Sequence, residues 1–131
     1  MAEQLILEEQ KFAEVAGMLK ALTDPNRLRI FDMLMHGDSC NCELKDRLGL
    51  PNNLLSHHLR VLKEAGLVEK RRDALDGRWI YYAINRKSVT YWQRWFNEFF
   101  DPARVQTRQN LCGPEGQQVG DKACRPQGAG V

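Results

Sequence analysis

The most distinctive chemistry in this chain belongs to four cysteines, two of which, Cys40 and Cys42, are separated by a single residue. Thiolates are soft ligands that suit As(III), Sb(III), Cd(II), Pb(II) or Zn(II). A lone cysteine is often a small buried apolar residue, but a pair at a helix start is less easily explained in that way. Residues i and i+2 of a regular helix lie about 200° apart. Both sulfurs can therefore bind one ion only if the first turn is distorted or if Cys40 stays outside the helix.

The composition of the chain indicates the compartment in which these thiols act. Residues 1–10 carry three glutamates and lack the basic start and apolar stretch of a secretory signal. No run of 18 apolar residues is present, so we expect no membrane span and no membrane partner. We therefore expect a cytoplasmic protein. In a reducing compartment, four cysteines favour metal binding or redox chemistry over a disulfide framework.

Apolar spacing and capping residues predict five helices around these cysteines. They are expected at about residues 3–22, 25–36, 40–48, 52–65 and 86–100. The second helix follows Asp24-Pro25, an N-cap and a favoured first position. Asp38 or Ser39 is expected to cap the third helix, and Pro51 with Asn52 or Asn53 to begin the fourth.

The third and fourth helices, joined by a tight glycine-containing turn, form a helix-turn-helix pattern. Leu55, Leu59 and Leu62 predict the core-facing side of the fourth helix, which would be the recognition helix in a major groove. The opposite side carries amides, a hydroxyl, an imidazole and a guanidinium that can reach base edges and phosphates. These candidate DNA-binding residues are Asn52, Asn53, Ser56, His57 and Arg60. The alternative is the ordinary polar face of an amphipathic helix.

Residues 67–84 predict a two-stranded hairpin, because strand-like flanks surround an Asp-Gly turn signal. Its loop is rimmed by Arg71, Arg72 and Arg78, which could enter a minor groove or hold phosphates. Residues 52–87 contain eight basic and four acidic residues, an excess of four, whereas the whole chain carries only +2. Such a basic region suits a polyanion, although a solvated charged face is an equal alternative on charge alone.

The remaining features define the predicted domain limits. Residues 1–104 are expected to form one domain for DNA binding and dimerisation. Residues 105–131 hold five of the ten glycines, five glutamines and two of the cysteines, which favours a flexible tail. His58 lies near the core side of the fourth helix and is expected to be partly buried and hydrogen-bonded. His36, beside Gly37, is expected to interact with a helix C-terminus.

Two segments resemble the signature of the ArsR/SmtB family: residues 19–30 (LKALTDPNRLRI) and residues 56–68 (SHHLRVLKEAGLV). The resemblance covers about residues 14–100. It implies a mainly α, homodimeric winged helix-turn-helix with a small β-hairpin. A protein of this family represses an operon and leaves double-stranded operator DNA on binding a metal or metalloid. The family's dimer interface uses the first and last helices, which gives the aromatic fifth helix a role.

The cysteine pair resembles the Cys-x-Cys motif of arsenic- and cadmium-sensing members. The resemblance implies that Cys40 and Cys42 bind As(III) or Sb(III) as an inducer, with no permanent cofactor. These ions favour three sulfurs, so Cys112 is expected as the third ligand and Cys124 as its alternative, because the shorter tether costs less entropy. The N-terminus lacks the extra cysteines of cadmium sensors. The fifth helix offers only Glu98 and no histidine, which argues against the zinc site of other members.

The predicted function is a repressor that releases its operator on binding As(III) or Sb(III) and controls metalloid resistance genes. A Cd(II)- or Pb(II)-responsive repressor and a thiol redox switch are the alternatives. A winged helix that serves only protein interaction is a third. An enzyme is the weakest, because no set of nucleophile, base and orienting group appears and Cys-x-Cys differs from the Cys-x-x-Cys of oxidoreductases.

Overall fold

A computed structural model describes residues 2–107, with side chains from residue 8 onward. The chain divides into two compact units after Trp95. The predicted tail, apart from its first three residues, lies outside the described range, as do Cys112 and Cys124. Within residues 2–107, every helix is too short or too polar to cross a lipid bilayer.

The described residues form five α-helices and a three-stranded antiparallel sheet, which confirms the mainly helical fold class with a small hairpin. The elements in chain order are α1 (Ala2–Ala21), α2 (Pro25–Met35), β1 (Ser39–Cys40), α3 (Asn41–Leu48), α4 (Asn52–Glu64), β2 (Val68–Arg72), β3 (Ile80–Ile84) and α5 (Arg86–Phe99), followed by a 3₁₀ turn at Pro102–Arg104.

Local signals position the helices much as the sequence predicts. Asp24 caps α2 by accepting a 2.7 Å hydrogen bond from the N–H of Asn26, and this bond lowers the pKa of the Asp24 carboxyl. Gly49 ends α3 in the left-handed conformation, with φ of 65°, which glycine adopts without strain. The start of α2 and the end of α3 therefore lie where their capping residues indicate.

The core of the first unit lies where α2, α3 and α4 pack together. Its fully buried side chains are Ile30 from α2, Leu44 from α3, and Leu55, Leu59 and Leu62 from α4. All three leucines predicted to face the core from α4 do so. Exposing a large apolar side chain to water costs more free energy than exposing a small one. This contact therefore fixes which face of α4 turns outward.

The sheet differs from the predicted two-stranded hairpin by one short strand. Its order is β1-β3-β2, and Val68 pairs with Ile84 in the predicted hairpin. On the other edge of β3, Ser39 pairs with Tyr82 and Cys40 with Tyr81. A strand of two residues is too short to show the apolar–polar alternation that identifies strands. Residues 39–40 were therefore expected to belong to the start of a helix.

The expectation that Asp38 or Ser39 caps α3 is wrong. Cys40 is the N-cap, and its Sγ accepts the N–H of Glu43 at 3.4 Å. Ser39 is instead buried in β1. Pairing with β3 holds residues 39–40 extended, so the helix can begin only after them.

Candidate nucleic-acid interface and cysteine site

The outward face of α4 presents the polar side chains that the sequence places there. Asn52, Asn53, Ser56, His57 and Arg60 are all exposed. An Arg60 guanidinium nitrogen lies 3.1 Å from Nδ1 of His57. The face can therefore offer amide, hydroxyl and cationic groups together.

The start of α4 adds a second group of donors to this face. Pro51 is its N-cap residue and makes no side-chain capping hydrogen bond. The first-turn N–H groups of a helix attract anions such as phosphate when no side chain occupies them. Backbone donors at this end therefore lie beside the exposed amides of Asn52 and Asn53.

His58, on the same helix, is buried with 4% of its surface exposed. Its Nδ1 lies 3.2 Å from a guanidinium nitrogen of Arg27, which also donates to the carbonyl of Ala21 at 2.6 Å. Nε2 is buried with no hydrogen-bond partner among the described residues, so the expectation of a hydrogen-bonded histidine holds for only one ring nitrogen. Burial lowers the pKa of His58 because it disfavours the charged ring.

His36 behaves as its position predicts. It follows the last residue of α2, and its Nδ1 lies 2.8 Å from the carbonyl oxygen of Asp32. A ring N–H donated to this oxygen satisfies one of the carbonyls that a helix C-terminus leaves without a partner. His36 therefore has a structural role.

The three arginines of the hairpin, or wing, are exposed, and each contacts an oxygen of the same chain. Arg71 forms an ion pair of 2.7 Å with Asp38, and Arg72 donates to the carbonyl of Gly77 at 2.8 Å. Arg78 contacts both carboxylate oxygens of Asp76, at 3.0 and 2.8 Å. Exposed pairs of this kind contribute little to stability because water screens them, so a phosphate can compete for the guanidinium groups.

The Arg78 pair is the wing contact with the clearest electrostatic consequence. The side-chain hydrogen bonds from Arg78 lower the pKa of the Asp76 carboxyl, and the same contact raises the pKa of Arg78. Each group therefore favours the charged form of the other.

The cysteine pair adopts one of the two arrangements that a shared ligand requires. Cys40 is buried and extended, outside α3, whereas Cys42 is exposed in the first turn of that helix. Their Cα atoms are 5.4 Å apart and a disulfide joins their sulfurs. The sequence argued against a disulfide framework, and this bond forms none, because it closes a loop of only three residues and constrains the unfolded chain very little.

The two cysteines supply a dithiol when reduced, which is a donor pair that fits a soft ion. In the part of the chain that the structure describes, no group of three or more His, Cys, Asp or Glu side chains is arranged to hold a metal. The predicted third ligand, Cys112, and its alternative Cys124 lie outside that part.

A cavity of about 460 Å³ lies against the cysteine pair. It is bounded by β1 and α3 on one side, by the start of α4 on another and by the wing on a third. Its lining residues are Cys40, Asn41, Cys42, Lys45, Asn52, Arg78, Trp79 and Ile80. Two candidate DNA-binding residues, Asn52 and Arg78, thus line the same space as the cysteines. The sequence did not predict this cavity. In particular, the position of Trp79 in its lining could not be predicted, because strand alternation was the only pattern at this residue.

The cysteine segment is also connected to the wing by two direct contacts. Cys40 pairs with Tyr81 of β3, and the Arg71 guanidinium lies 5.6 Å from the centre of the Tyr81 ring. Asp38, two residues before Cys40, holds the same guanidinium. Any rearrangement of residues 38–42 therefore acts on the wing as well as on α3.

An exposed polar recognition helix, an arginine-bearing β-hairpin and a core of three helices define a winged helix-turn-helix DNA-binding domain. Residues 24–70 match the family described as "Bacterial regulatory protein, arsR family". The chain belongs to this ArsR/SmtB family, whose members are DNA-binding transcriptional regulators, and it is not an enzyme.

Two curated relatives have names that refer to resistance to arsenicals or to cadmium. The chain is 34% identical to an arsenical resistance operon repressor of Staphylococcus xylosus, over 61% of this chain and 74% of that protein. It is 38% identical to the cadmium resistance transcriptional regulatory protein CadC of Listeria innocua, over 57% of this chain and 61% of that protein.

A solution structure of a homodimeric protein from Mycobacterium bovis matches this fold. It is the homodimeric winged helix-turn-helix DNA-binding domain of Mb0332, a possible ArsR-family regulator. The TM-score is 0.57 at 27% identity, over 79% of this chain and 93% of that one.

Proposed function

We propose that this regulator is a homodimeric, cytoplasmic repressor that binds operator DNA and releases it when As(III) or Sb(III) binds through Cys40 and Cys42. On this proposal it controls metalloid resistance genes. The observation that supports it most strongly is that the cysteine pair and two candidate DNA-binding residues, Asn52 and Arg78, line one cavity.

The DNA-binding half of the proposal rests on charge and geometry. In a major groove, the amides of Asn52 and Asn53 would reach adenine edges and Arg60 would reach guanine. The wing arginines would exchange their present carboxylate and carbonyl partners for phosphates. Binding of this kind releases counterions and therefore weakens steeply with salt.

The homodimer is supported by the aromatic faces of α1 and α5. No side chain of α5 is buried, and Phe12 and Tyr91 are 47% and 45% exposed. Phe12 meets Trp95 edge to face, with ring centres 6.5 Å apart. Exposed aromatic clusters of this kind mark interaction surfaces. The relative from Mycobacterium bovis is homodimeric.

The inducer half requires the reduced pair. Two molecules of a cellular thiol such as glutathione together supply two electrons and two protons to the disulfide and are oxidised to one glutathione disulfide. Each cysteine thiol then replaces one hydroxyl of arsenous acid, forming an As–S bond and releasing one water. Cys112, or Cys124 as the alternative, would replace the third hydroxyl.

Coupling to DNA follows from what the pair holds in place. Cys40 caps α3 through the N–H of Glu43, and its backbone pairs with Tyr81 of the wing. An arsenic atom between the two sulfurs would move Cys40 Sγ from its position in the disulfide, where it caps the helix, and would weaken that cap. We expect α3, which supports the recognition helix, and the wing to shift together.

The test is fluorescence anisotropy of a labelled fragment of the protein's own promoter, with protein reduced by a phosphine that does not bind arsenic. Arsenite should release the fragment from the wild-type chain. Cys40→Ser and Cys42→Ser should bind DNA at low salt and ignore arsenite. Release from both variants would show that the site lies elsewhere. Parallel titrations with Cd(II), which the name of the CadC relative suggests, and with Pb(II) address the alternative inducers.

A thiol redox switch is the second candidate, and the Cys40–Cys42 disulfide favours it. On this reading, oxidation itself would change DNA affinity, with no metalloid involved. Comparing oxidised and reduced wild-type protein in the same anisotropy assay separates the two. Equal affinity in both states, with release by arsenite only in the reduced state, would exclude the switch.

A further inference from the structure

We infer that the cavity beside the cysteine pair accepts the substituent of an organic arsenical, a trivalent arsenic atom that carries one aromatic group. This rests on the proposed function and narrows its inducer class. The two cysteine sulfurs bind the arsenic, and the aromatic group lies against Trp79 and Ile80.

The donor set matches this class of ligand. An aryl arsenous acid, R–As(OH)₂, has one As–C bond that persists and two hydroxyls that exchange. The reduced Cys40 and Cys42 thiols replace both hydroxyls, forming two As–S bonds and releasing two waters, with no change in the oxidation state of arsenic. The described residues bring two sulfurs together, which is the number that this ligand needs.

The size of the cavity also indicates a larger ligand than an inorganic ion. Its volume of about 460 Å³ falls in the range of roughly 300–1,000 Å³ typical of small-molecule sites. Arsenous acid has only four non-hydrogen atoms, so it would leave most of this space to water. A phenyl substituent would occupy more of the space and displace water from apolar surface.

The chemistry of the lining favours an aromatic, uncharged ligand. Trp79 is 49% exposed although it lines the cavity, and Ile80 continues the apolar wall. Aromatic rings pair favourably edge to face or offset-stacked. Lys45 and Arg78 also line the cavity, and none of its lining residues is acidic. Asp76 balances the charge of Arg78, so Lys45 is the cation that disfavours a free divalent metal ion here, whereas an aryl arsenous acid is neutral and its ring attracts cations.

The experiment compares three probes on the phosphine-reduced full-length chain: arsenite, methylarsonous acid and phenylarsine oxide. Binding is read from tryptophan fluorescence, from thiol titration and from the intact mass. We expect phenylarsine oxide to consume two thiols per chain and to bind more tightly than methylarsonous acid. Trp79→Ala should weaken phenylarsine oxide about tenfold, equivalent to about 1.4 kcal/mol, and leave methylarsonous acid unchanged. Trp79→Phe should restore most of the phenyl preference.

The Cys112→Ser/Cys124→Ser double variant isolates the described pair. It should bind phenylarsine oxide as tightly as the wild-type chain does. Loss of phenylarsine oxide binding in this variant would overturn the inference. An equal effect of Trp79→Ala on the phenyl and methyl probes, or no effect on either, would also overturn it.

These outcomes differ from a failure of the proposed function. If arsenite releases DNA but the phenyl probe shows no dependence on Trp79, the repressor mechanism stands and the ligand class is wrong. If the probes bind the pair but none of them releases DNA, the proposed function fails although the cavity accepts the ligand.

Discussion

The cations of the recognition helix and those of the wing differ in the partners that they already hold. On α4, Arg60 contacts His57 on the same exposed face and forms no ion pair with any residue that the structure describes, so it can meet DNA without losing one. On the wing, Arg71 and Arg78 already hold carboxylates of Asp38 and Asp76. On the proposed function, DNA binding by the wing would therefore be an exchange of partners, with a smaller net gain than binding by the helix.

The position of one wing partner gives this difference a regulatory meaning. Asp38 belongs to the segment that leads into Cys40, whereas Asp76 belongs to the wing itself. The wing thus contacts the cysteine segment through Arg71, and α4 contacts the cysteine cavity through Asn52. We expect mutations on α4 to have large effects on affinity and mutations at the Asp38 contact to have small, salt-dependent ones.

The largest effect is expected from the core that fixes α4. Leu59→Ala should lower the free energy of unfolding by about 2–5 kcal/mol, because it removes a fully buried side chain and leaves a cavity. Urea unfolding followed by circular dichroism measures the loss. Leu54→Ala is the matched control, since Leu54 is 38% exposed on the same helix and should cost much less. Similar losses at both positions would contradict the assigned core face.

The next effect concerns the outward face of the same helix. Arg60→Ala should weaken promoter binding by about 1–3 kcal/mol, the range for one good contact to a base edge. The stability of the fold should not change, because Arg60 is exposed. Lys63→Ala, which removes another exposed cation from α4, is the control and should weaken binding less. Anisotropy titrations at one fixed salt concentration compare the two variants. Equal losses of affinity would show that Arg60 acts only through its charge and makes no specific base contact.

Sequence reasoning succeeded for α4 and failed beside the cysteines for a physical reason. The burial of Leu55, Leu59 and Leu62 follows from spacing within one helix, so it can be read locally. The pairing of Cys40 with Tyr81 joins residues 41 positions apart, and a two-residue strand carries no pattern of its own. The cavity position of Trp79 depends on that same pairing. The sequence therefore indicates which thiols could act as donors, whereas their surroundings and their link to the wing could not be predicted from it.

His58 anchors the recognition helix, so its protonation should affect the stability of the fold. Burial lowers its pKa, Arg27 and His57 add to the effect, and the Asp24 carboxylate opposes it. As pH falls, the unfolded chain takes up this proton first, near pH 6.5, whereas the folded chain takes it up at lower pH. The contribution of neutral, buried His58 to the free energy of unfolding is therefore fully present above about pH 6.5 and is lost as pH falls toward the folded-state pKa.

Urea unfolding of the wild-type chain between pH 7.5 and 5 should show this decline. His58→Leu should lose the part of the decline that begins near pH 6.5, whatever its stability at neutral pH. The lowered pKa of Asp24 acts in a separate window below its usual value of 3.8. A pH profile that is identical in the variant would mean that His58 does not set the dependence.

The smallest effect is expected at the contact between the cysteine segment and the wing. Asp38→Asn removes the carboxylate that holds Arg71 at 2.7 Å, so the guanidinium reaches DNA without giving up an ion pair. An exposed pair contributes about 0–1 kcal/mol, which corresponds to an increase in DNA affinity of at most about fivefold. If Arg71 then contacts a phosphate more fully, the plot of log affinity against log salt should also become steeper.

The control is Asp46→Asn, which removes the same charge from an exposed position of α3. If both variants tighten DNA binding equally, the gain reflects net charge alone and the wing contact has no special role. If only Asp38→Asn does so, Asp38 competes with DNA for Arg71. If Asp38 competes more strongly in the arsenite-bound protein, arsenite binding at the cysteine pair would weaken the contact between Arg71 and DNA.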